Sequence, residues 1–157
     1  MTNFLEQLVA EWYEFQGYFV RRNVRVGKRL NGGHEGELDV VAFHPSKGRL
    51  IHIEPSMDCD PWDKREARFS RKFKTGRTYI PMLFEGFSLP AEIEQVALLM
   101  YGSSKDHSTL GGKRLMMIDE FMANVRKEIE GRQIRNAAIP EQFILLRTLQ
   151  FAATYWK

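Results

Sequence analysis

The chain has 157 residues, of which 43% are apolar and 27% charged, and its formal net charge is +3. These values are typical of one globular domain with its own hydrophobic core, and they exclude wholesale disorder. No apolar run approaches the roughly 20 residues needed to cross a bilayer, and the first residues lack a signal-peptide pattern. The single cysteine, Cys59, cannot form an internal disulfide, as is typical of a reducing compartment. We therefore expect a cytoplasmic protein with no membrane partner.

The first half of the chain predicts a helix, three strands, a second helix and a fourth strand. Apolar spacing and turn residues set the bounds: a helix over 3–16, strands over 18–26, 37–43 and 49–53, a helix over 62–76, and a strand over 77–85. Asn3 is the expected N-cap of the first helix and Gly17 its stop. Pro81 weakens the fourth strand, because proline cannot donate a hydrogen bond to a sheet.

The second half predicts a helix over 90–101, a loop over 102–112, a strand over 114–118, and helices over 119–130 and 140–155. The predicted order is therefore αβββαβ followed by αβαα. A hairpin followed by a helical crossover favours an α/β fold, with a mixed central sheet flanked by helices.

Two acids interrupt the apolar patterns of neighbouring predicted strands. Alternation puts Asp39 on one face with Val41 and Phe43, and it puts Glu54 on one face with His52. Buried carboxylates are costly unless they are paired, and a hard cation such as Mg²⁺ is one such partner. The alternative is that both acids are solvated at strand ends or paired with basic side chains. Two roles are open for His52: it is a packed, hydrogen-bonded core residue, or it acts as a base or supporting group near Glu54.

Three segments together resemble the PD-(D/E)XK phosphodiesterase superfamily, whose fold is that of restriction endonucleases. They are the first-helix segment from Glu6 to Tyr18, the strand Gly36-Glu-Leu-Asp39-Val-Val-Ala, and the strand Ile51-His-Ile-Glu54-Pro-Ser56. The resemblance covers roughly residues 4–85. It implies a restriction-endonuclease-like domain over 1–157, with an αβββαβ core over about 4–85 and a β/helical extension over about 86–157.

The resemblance also implies roles for individual residues. Asp39 and Glu54 would bind Mg²⁺ or Mn²⁺, and Glu6 occupies the place of the first-helix acid. The family's lysine should fall at position 56, where this chain has Ser56. Serine carries no charge, so it cannot offset the charge that develops on phosphorus.

Two explanations of Ser56 remain open at this point. The basic group can be supplied by the following helix, with Lys72 as the preferred substitute and Arg68 as the second choice, because these residues lie one turn apart. Alternatively, the nuclease site has decayed.

The helix over 62–76 belongs to a basic segment, since residues 62–77 contain seven Lys or Arg and two Asp or Glu. Phosphate contacts of this kind supply most non-specific nucleic-acid affinity. The expected contacts are Lys64, Arg68, Arg71 and Lys72, and the alternative is a solvated helix face.

The sequence thus predicts metal-dependent hydrolysis of DNA phosphodiesters. RNA is the second expected partner, and a homodimer is left open. Two rival functions use the same fold, namely a nucleic-acid-binding module without catalysis and a protein-interaction subunit.

Overall fold

The computed structural model describes residues 3–156, which form a mixed six-stranded sheet with helices on both faces. The helices are α1 (Phe4–Phe15), α2 (Trp62–Leu83), α3 (Ile118–Ile129), α4 (Ile134–Ala137) and α5 (Ile144–Tyr155). The strands are β1 (Phe19–Lys28), β2 (His34–His44), β3 (Arg49–Ser56), β4 (Glu94–Leu99), β5 (Thr109–Leu110) and β6 (Lys113–Met117). The predicted α/β class with a mixed, helix-flanked sheet is confirmed. Within residues 3–156, no helix combines the length and the apolar character that crossing a bilayer demands.

The strand order is β1-β2-β3-β4-β6-β5. Strands β1, β2 and β3 form an antiparallel meander, whereas β4 pairs with both β3 and β6 in parallel. Helix α2 makes the crossover from β3 to β4 that a parallel pair requires. Strands β4 and β6, which follow residue 86, therefore belong to the same sheet as β2 and β3, the two strands that carry the acids.

Helix α1 begins and ends where the sequence predicts. The Asn3 side chain accepts a hydrogen bond from the Glu6 backbone, and the Glu6 carboxylate accepts one from the Asn3 backbone, which makes a capping box. The helix ends just before Gly17, whose φ of 91° lies in the left-handed region that glycine adopts without strain.

Helix α2 is longer than predicted, and the strand predicted over 77–85 is wrong. Buried residues continue at helical spacing through Phe73, Gly76 and Ile80, so the apolar face extends past the expected end at Gly76. Pro81 lies in the last turn of the helix, where it removes one backbone hydrogen bond and only two helical residues follow. Asp60 and Asp63 flank the start of α2, but the N-cap is Pro61 and makes no side-chain cap bond.

The helix predicted over 90–101 is wrong as well, because strand β4 occupies this part of the chain. Residues Gln95 to Leu99 are all buried, as is usual for a strand covered on both faces. A short apolar run does not distinguish such a strand from a buried helix. The order αβββαβ is nevertheless observed, with β4 as its last strand, and β5, β6 and three helices follow instead of αβαα.

The core lies in layers on the two faces of the sheet. Val40, Ala42, Ile51 and Ile53 pack with helices α1, α3 and α5. Val41, Phe43 and Leu50 pack on the other face, where α2 contributes Ile80. The predicted alternation of these strand residues is confirmed, and α2 covers the face toward which His52 and Glu54 point.

Candidate functional site

The two acids lie at a fork where β2 and β3 separate. The last paired residues of this ladder are Val40 and Ile53, and Asp39 and Glu54 are the next residue on each strand. The Asp39 backbone N–H donates a hydrogen bond to Oε1 of Glu54 over 3.3 Å. Both acids are buried, with 8% and 1% of their surfaces exposed.

A distortion of β2 accompanies the fork. The register of β1 and β2 would pair Asn23 with Asp39, but both residues are missing from that ladder, and Asn23 has a φ of 52°. Leu38 packs in the cluster of Val41 and Phe43, and not with Val40 as alternation predicts. A local break of this kind redirects side chains at functional sites, and here it frees the Asp39 N–H to bind a carboxylate.

Lys72 reaches both acids from helix α2. Its Nζ donates to Oδ2 of Asp39 over 3.0 Å, and it also donates to Oε2 of Glu54. Its side chain remains 31% exposed. The structure therefore brings together the two predicted metal ligands and the residue preferred as the substitute for the lysine that is absent at position 56.

The electrostatics of the acid pair are asymmetric. Burial, together with the nearby Glu54, raises the pKa of Asp39. Burial also opposes ionisation of Glu54, but the hydrogen bond from His52 and the charge of Lys72 contribute to a lowered pKa of Glu54. Within this pair, a proton therefore binds more readily to Asp39 than to Glu54. A cation that binds both acids has to displace that proton.

Glu6 lines the same cavity from helix α1. Its carboxylate accepts hydrogen bonds from the backbone and side chain of Asn3, and burial raises the pKa of Glu6. Glu6 thus caps its helix at the edge of the site, and its role as the first-helix acid stays a prediction.

Ser56 belongs to a separate polar cluster beside the acid pair. Its hydroxyl donates to Oδ2 of Asp58, and the guanidinium of Arg68 donates to the same oxygen over 2.5 Å and to Asp60 over 2.8 Å. Arg65 donates to the Asp58 carbonyl over 2.6 Å. Sequence analysis did not identify Asp58 as the centre of a cluster, because its role depends on how the loop after β3 folds over α2.

This cluster predicts a pH-dependent contribution to stability. Burial opposes ionisation of Asp58, but hydrogen bonds from Ser56 and the Asp60 backbone and the charge of Arg68 outweigh it, so the pKa of Asp58 falls from 3.8 to about 2. Because folding lowers this pKa, the ionised Asp58 stabilises the folded state at pH values above its ordinary pKa of 3.8. That stabilisation is lost as the pH falls through about 2.

We expect Asp58→Asn to lower the free energy of unfolding by about 1 kcal/mol at neutral pH, because the partly exposed group is screened by solvent. The difference from the wild type should shrink as the pH falls from about 4 toward 2. Urea unfolding at several pH values measures it, with Asp106→Asn in an exposed loop as the control. A difference that does not vary with pH would contradict the assignment.

The acid pair and the Ser56 cluster share one open cavity of about 380 Å³. Its polar lining residues are Glu6, Asp39, Glu54, Ser56, Asp58, Arg68 and Lys72. Within residues 3–156, no three or more His, Cys, Asp or Glu side chains form a metal-binding group. The donor set of Asp39 and Glu54 nevertheless fits Mg²⁺, which often binds one or two carboxylates and completes its shell with water and substrate phosphate.

The four basic residues of α2 that are predicted to contact nucleic acid differ in whether they form ion pairs within the protein. Lys64 and Arg68 are paired with Asp60, and Lys72 is paired with the two acids. Arg71 is exposed, and in the described part of the chain it makes no ion pair. Of the four predicted nucleic-acid contacts, Arg71 is therefore the one available to a phosphate without breaking an ion pair of the protein.

Two buried residues behind the acids complete the site. His52 is fully buried, and its Nε2 lies 2.7 Å from Oε1 of Glu54. This histidine is therefore packed in the core and also in contact with a site acid, so its role toward Glu54 stays a prediction. Gln95 contacts the other ring nitrogen over 3.1 Å. Sequence analysis missed Gln95 because it assigned residues 90–101 to a helix.

Comparisons with known proteins identify a similar fold and no more. No protein-family model matches this chain, and no curated protein matches it. A crystal structure of a protein of unknown function, AF1548, is similar over 98% of each chain, with a TM-score of 0.50 and 14% sequence identity. A likeness at this identity concerns the fold alone.

Proposed function

We propose that this protein is a divalent-metal-dependent phosphodiesterase that cleaves DNA, with a PD-(D/E)XK-type site. The observation that carries the proposal is the contact of one ammonium group, Lys72 Nζ, with carboxylates from two adjacent strands, Asp39 and Glu54. Two acids and one basic group around an open cavity are the groups that phosphodiester hydrolysis requires.

Each group has a distinct chemical task. Asp39 and Glu54 would hold Mg²⁺ or Mn²⁺, and the bound ion would polarise the phosphate and lower the pKa of an attacking water. Lys72 would donate to the phosphate oxygens that gain charge in the transition state. Since Lys72 also contacts both acids, it keeps the cavity electrostatically balanced before a substrate enters.

Arg68 is the second basic group at the cavity. Its guanidinium lies 3.4 Å from the Ser56 hydroxyl, at the position where the family has its lysine. Asp58 and Asp60 hold this guanidinium in place. Arg68 would therefore contact a phosphate flanking the cleaved bond, with Lys72 at the bond itself.

Helix α2 supplies the sequence-independent part of the expected DNA affinity. We expect Arg71→Ala to weaken duplex binding and to reduce the slope of log affinity against log salt by about 0.9, because one phosphate contact is lost. Fluorescence anisotropy over a salt series measures this slope. The matched control is Lys127→Ala, which changes an exposed cation on α3, on the opposite face of the sheet. Equal effects of the two substitutions would contradict a specific role for α2.

A cleavage assay tests the proposed activity. Plasmid, linear duplex, branched DNA and single-stranded RNA are incubated with Mg²⁺, with Mn²⁺ or with a chelator. We expect DNA to be cleaved only when a divalent ion is present. Cleavage that persists in chelator, or cleavage of RNA alone, would contradict the proposal.

A binding module without catalysis is the second candidate, and Ser56 is the observation that favours it. Lys72 already satisfies both carboxylates, so the site is balanced without a metal. This alternative predicts duplex affinity that falls steeply with salt and is equal in Mg²⁺ and in chelator. DNA binding without any cleavage, under both metal ions, would favour it over the nuclease.

A further inference from the structure

A chain of hydrogen bonds runs from the surface of α2 to the back of Glu54. Nη1 of Arg77 donates to Oε1 of Gln95 over 3.0 Å. Nε2 of Gln95 lies 2.8 Å from the Phe73 carbonyl and 3.1 Å from Nδ1 of His52, and Nε2 of His52 lies 2.7 Å from Glu54 Oε1. Gln95, His52 and Glu54 are 4%, 0% and 1% exposed, so water does not compete along this path.

The direction of every bond in this chain follows from the donors available. A guanidinium can only donate, so the Gln95 atom that faces Arg77 must be its carbonyl oxygen. The other end of the amide is then the NH₂ group, which donates to the Phe73 carbonyl and to Nδ1 of His52. Because Nδ1 accepts, it carries no proton, and the ring proton lies on Nε2 and is donated to Glu54.

Packing prevents the ring from adopting another arrangement. A Cβ atom at Gly76 would lie 2.4 Å from Nδ1 of His52, so only glycine lets α2 approach the ring this closely. Phe73 meets the ring edge to face, with 5.6 Å between the centroids. The imidazole is therefore confined between α2 and the sheet.

We infer that Gln95 is a positioning residue, which fixes the Nε2–H tautomer of His52 and thereby the orientation of Glu54. The His52 ring and the Asp39 N–H both bind Oε1 of Glu54, so Oε2 is the oxygen presented to Lys72. The next step rests on the proposed function: Oε2 is also the oxygen that would bind the divalent ion. Because the neutral ring donates without transferring its proton, Glu54 keeps the negative charge that the ion needs.

Gln95→Glu is the sharpest test, because it keeps the size of the side chain and the bond to Arg77 but replaces the donor to Nδ1 by an acceptor. In the metal-free wild type, ¹⁵N spectra should show His52 with a protonated Nε2 and an unprotonated Nδ1. In the variant, Nδ1 should become protonated. An Nδ1–H tautomer in the wild type, or identical spectra in both proteins, would overturn the inference.

Mn²⁺ titration by calorimetry gives the second readout. Outer groups that orient a metal ligand typically contribute 10–100-fold to affinity, so we expect Gln95→Glu to weaken Mn²⁺ binding by about 10-fold or more. If the Gln95→Glu variant does not fold, the Gln95→Leu variant is titrated in its place. The matched control is Gln150→Leu, which removes a fully buried glutamine from α5 and should reduce stability without changing Mn²⁺ affinity.

The outcomes separate this inference from the proposed function. Equal Mn²⁺ affinity in the wild type and the Gln95 variants would overturn the positioning role. A wild type that binds no Mn²⁺ would overturn the metal role of Glu54 and the positioning role with it. In that case, an intact ring-nitrogen pattern would show that the failure lies in the proposed function and not in the hydrogen-bond chain.

Discussion

Substitution of Asp39 by asparagine should reduce the rate of DNA cleavage by about 10³-fold or more, while duplex affinity stays nearly unchanged. The size of the loss follows from the metal's role, which is worth several kcal/mol in the transition state, at about 1.4 kcal/mol for each factor of ten. Affinity is retained because the phosphate contacts come from α2. Single-turnover cleavage and anisotropy binding measure the two quantities separately.

The Asp39→Asn variant should also remain folded, since burial already disfavours a charge at this position. Asp119→Asn, an exposed acid on α3, is the matched control and should cleave like the wild type. Full activity of Asp39→Asn would contradict the assignment of the site. An equal loss of cleavage and of DNA binding would indicate that Asp39 acts through the fold.

Substitution of Lys72 by methionine should have the second large effect, because it removes the only cation that contacts both buried acids in the described structure. We expect cleavage to be lost and the free energy of unfolding near pH 8 to fall by about 2 kcal/mol. That is less than the roughly 3–5 kcal/mol of fully buried pairs, because the Lys72 side chain is partly exposed.

The pH dependence of the Lys72→Met variant has a definite sign. Without the ammonium group, the pKa of Asp39 rises further above its unfolded value, and the lowered pKa of Glu54 rises as well. The folded variant then binds protons more readily than the folded wild type, so its deficit in stability should shrink as the pH falls from 8 toward about 5. Millimolar Mg²⁺ should restore part of the stability if the acids bind the ion.

Lys127→Met on α3, an exposed cation on the other face of the sheet, is the control, and it should alter neither stability nor cleavage. Wild-type cleavage by Lys72→Met would contradict the role of Lys72. A deficit in stability that is the same at every pH would show that packing, and not charge, explains the loss.

The strands and the acids could be predicted because their patterns are local. Alternation around Asp39 and Glu54 identifies two strands with a carboxylate in each, and one helical turn separates Arg68 from Lys72. Together with the family resemblance, that spacing favours Lys72, and Arg68 after it, as the basic group of the site. The pattern does not predict the fork between β2 and β3, beside which the β1–β2 ladder also breaks, at Asn23 and Asp39.

The rest of the site depends on contacts between segments distant in the sequence. Gln95 and His52 meet only because α2 continues past Gly76 and β4 runs parallel to β3, and both elements were predicted wrongly from local patterns. Pro81 removes a backbone donor from a strand and from a helix alike, so it does not decide between them, and it lies two residues before α2 ends. The contacts of Asp58 cannot be predicted from its neighbours in the sequence, because Arg65 and Arg68 reach it from the following helix.

The most direct test of the central claim is a crystal of the protein soaked in Mn²⁺, with and without a short DNA duplex. We expect an anomalous peak bonded to carboxylate oxygens of both Asp39 and Glu54, with Lys72 Nζ moved away from at least one of them. The peak should be absent in Asp39→Asn. The contradicting result is that no metal binds the two carboxylates even when the duplex is present, and that Lys72 still bridges them. That result would exclude a metal-dependent phosphodiesterase and favour the binding module.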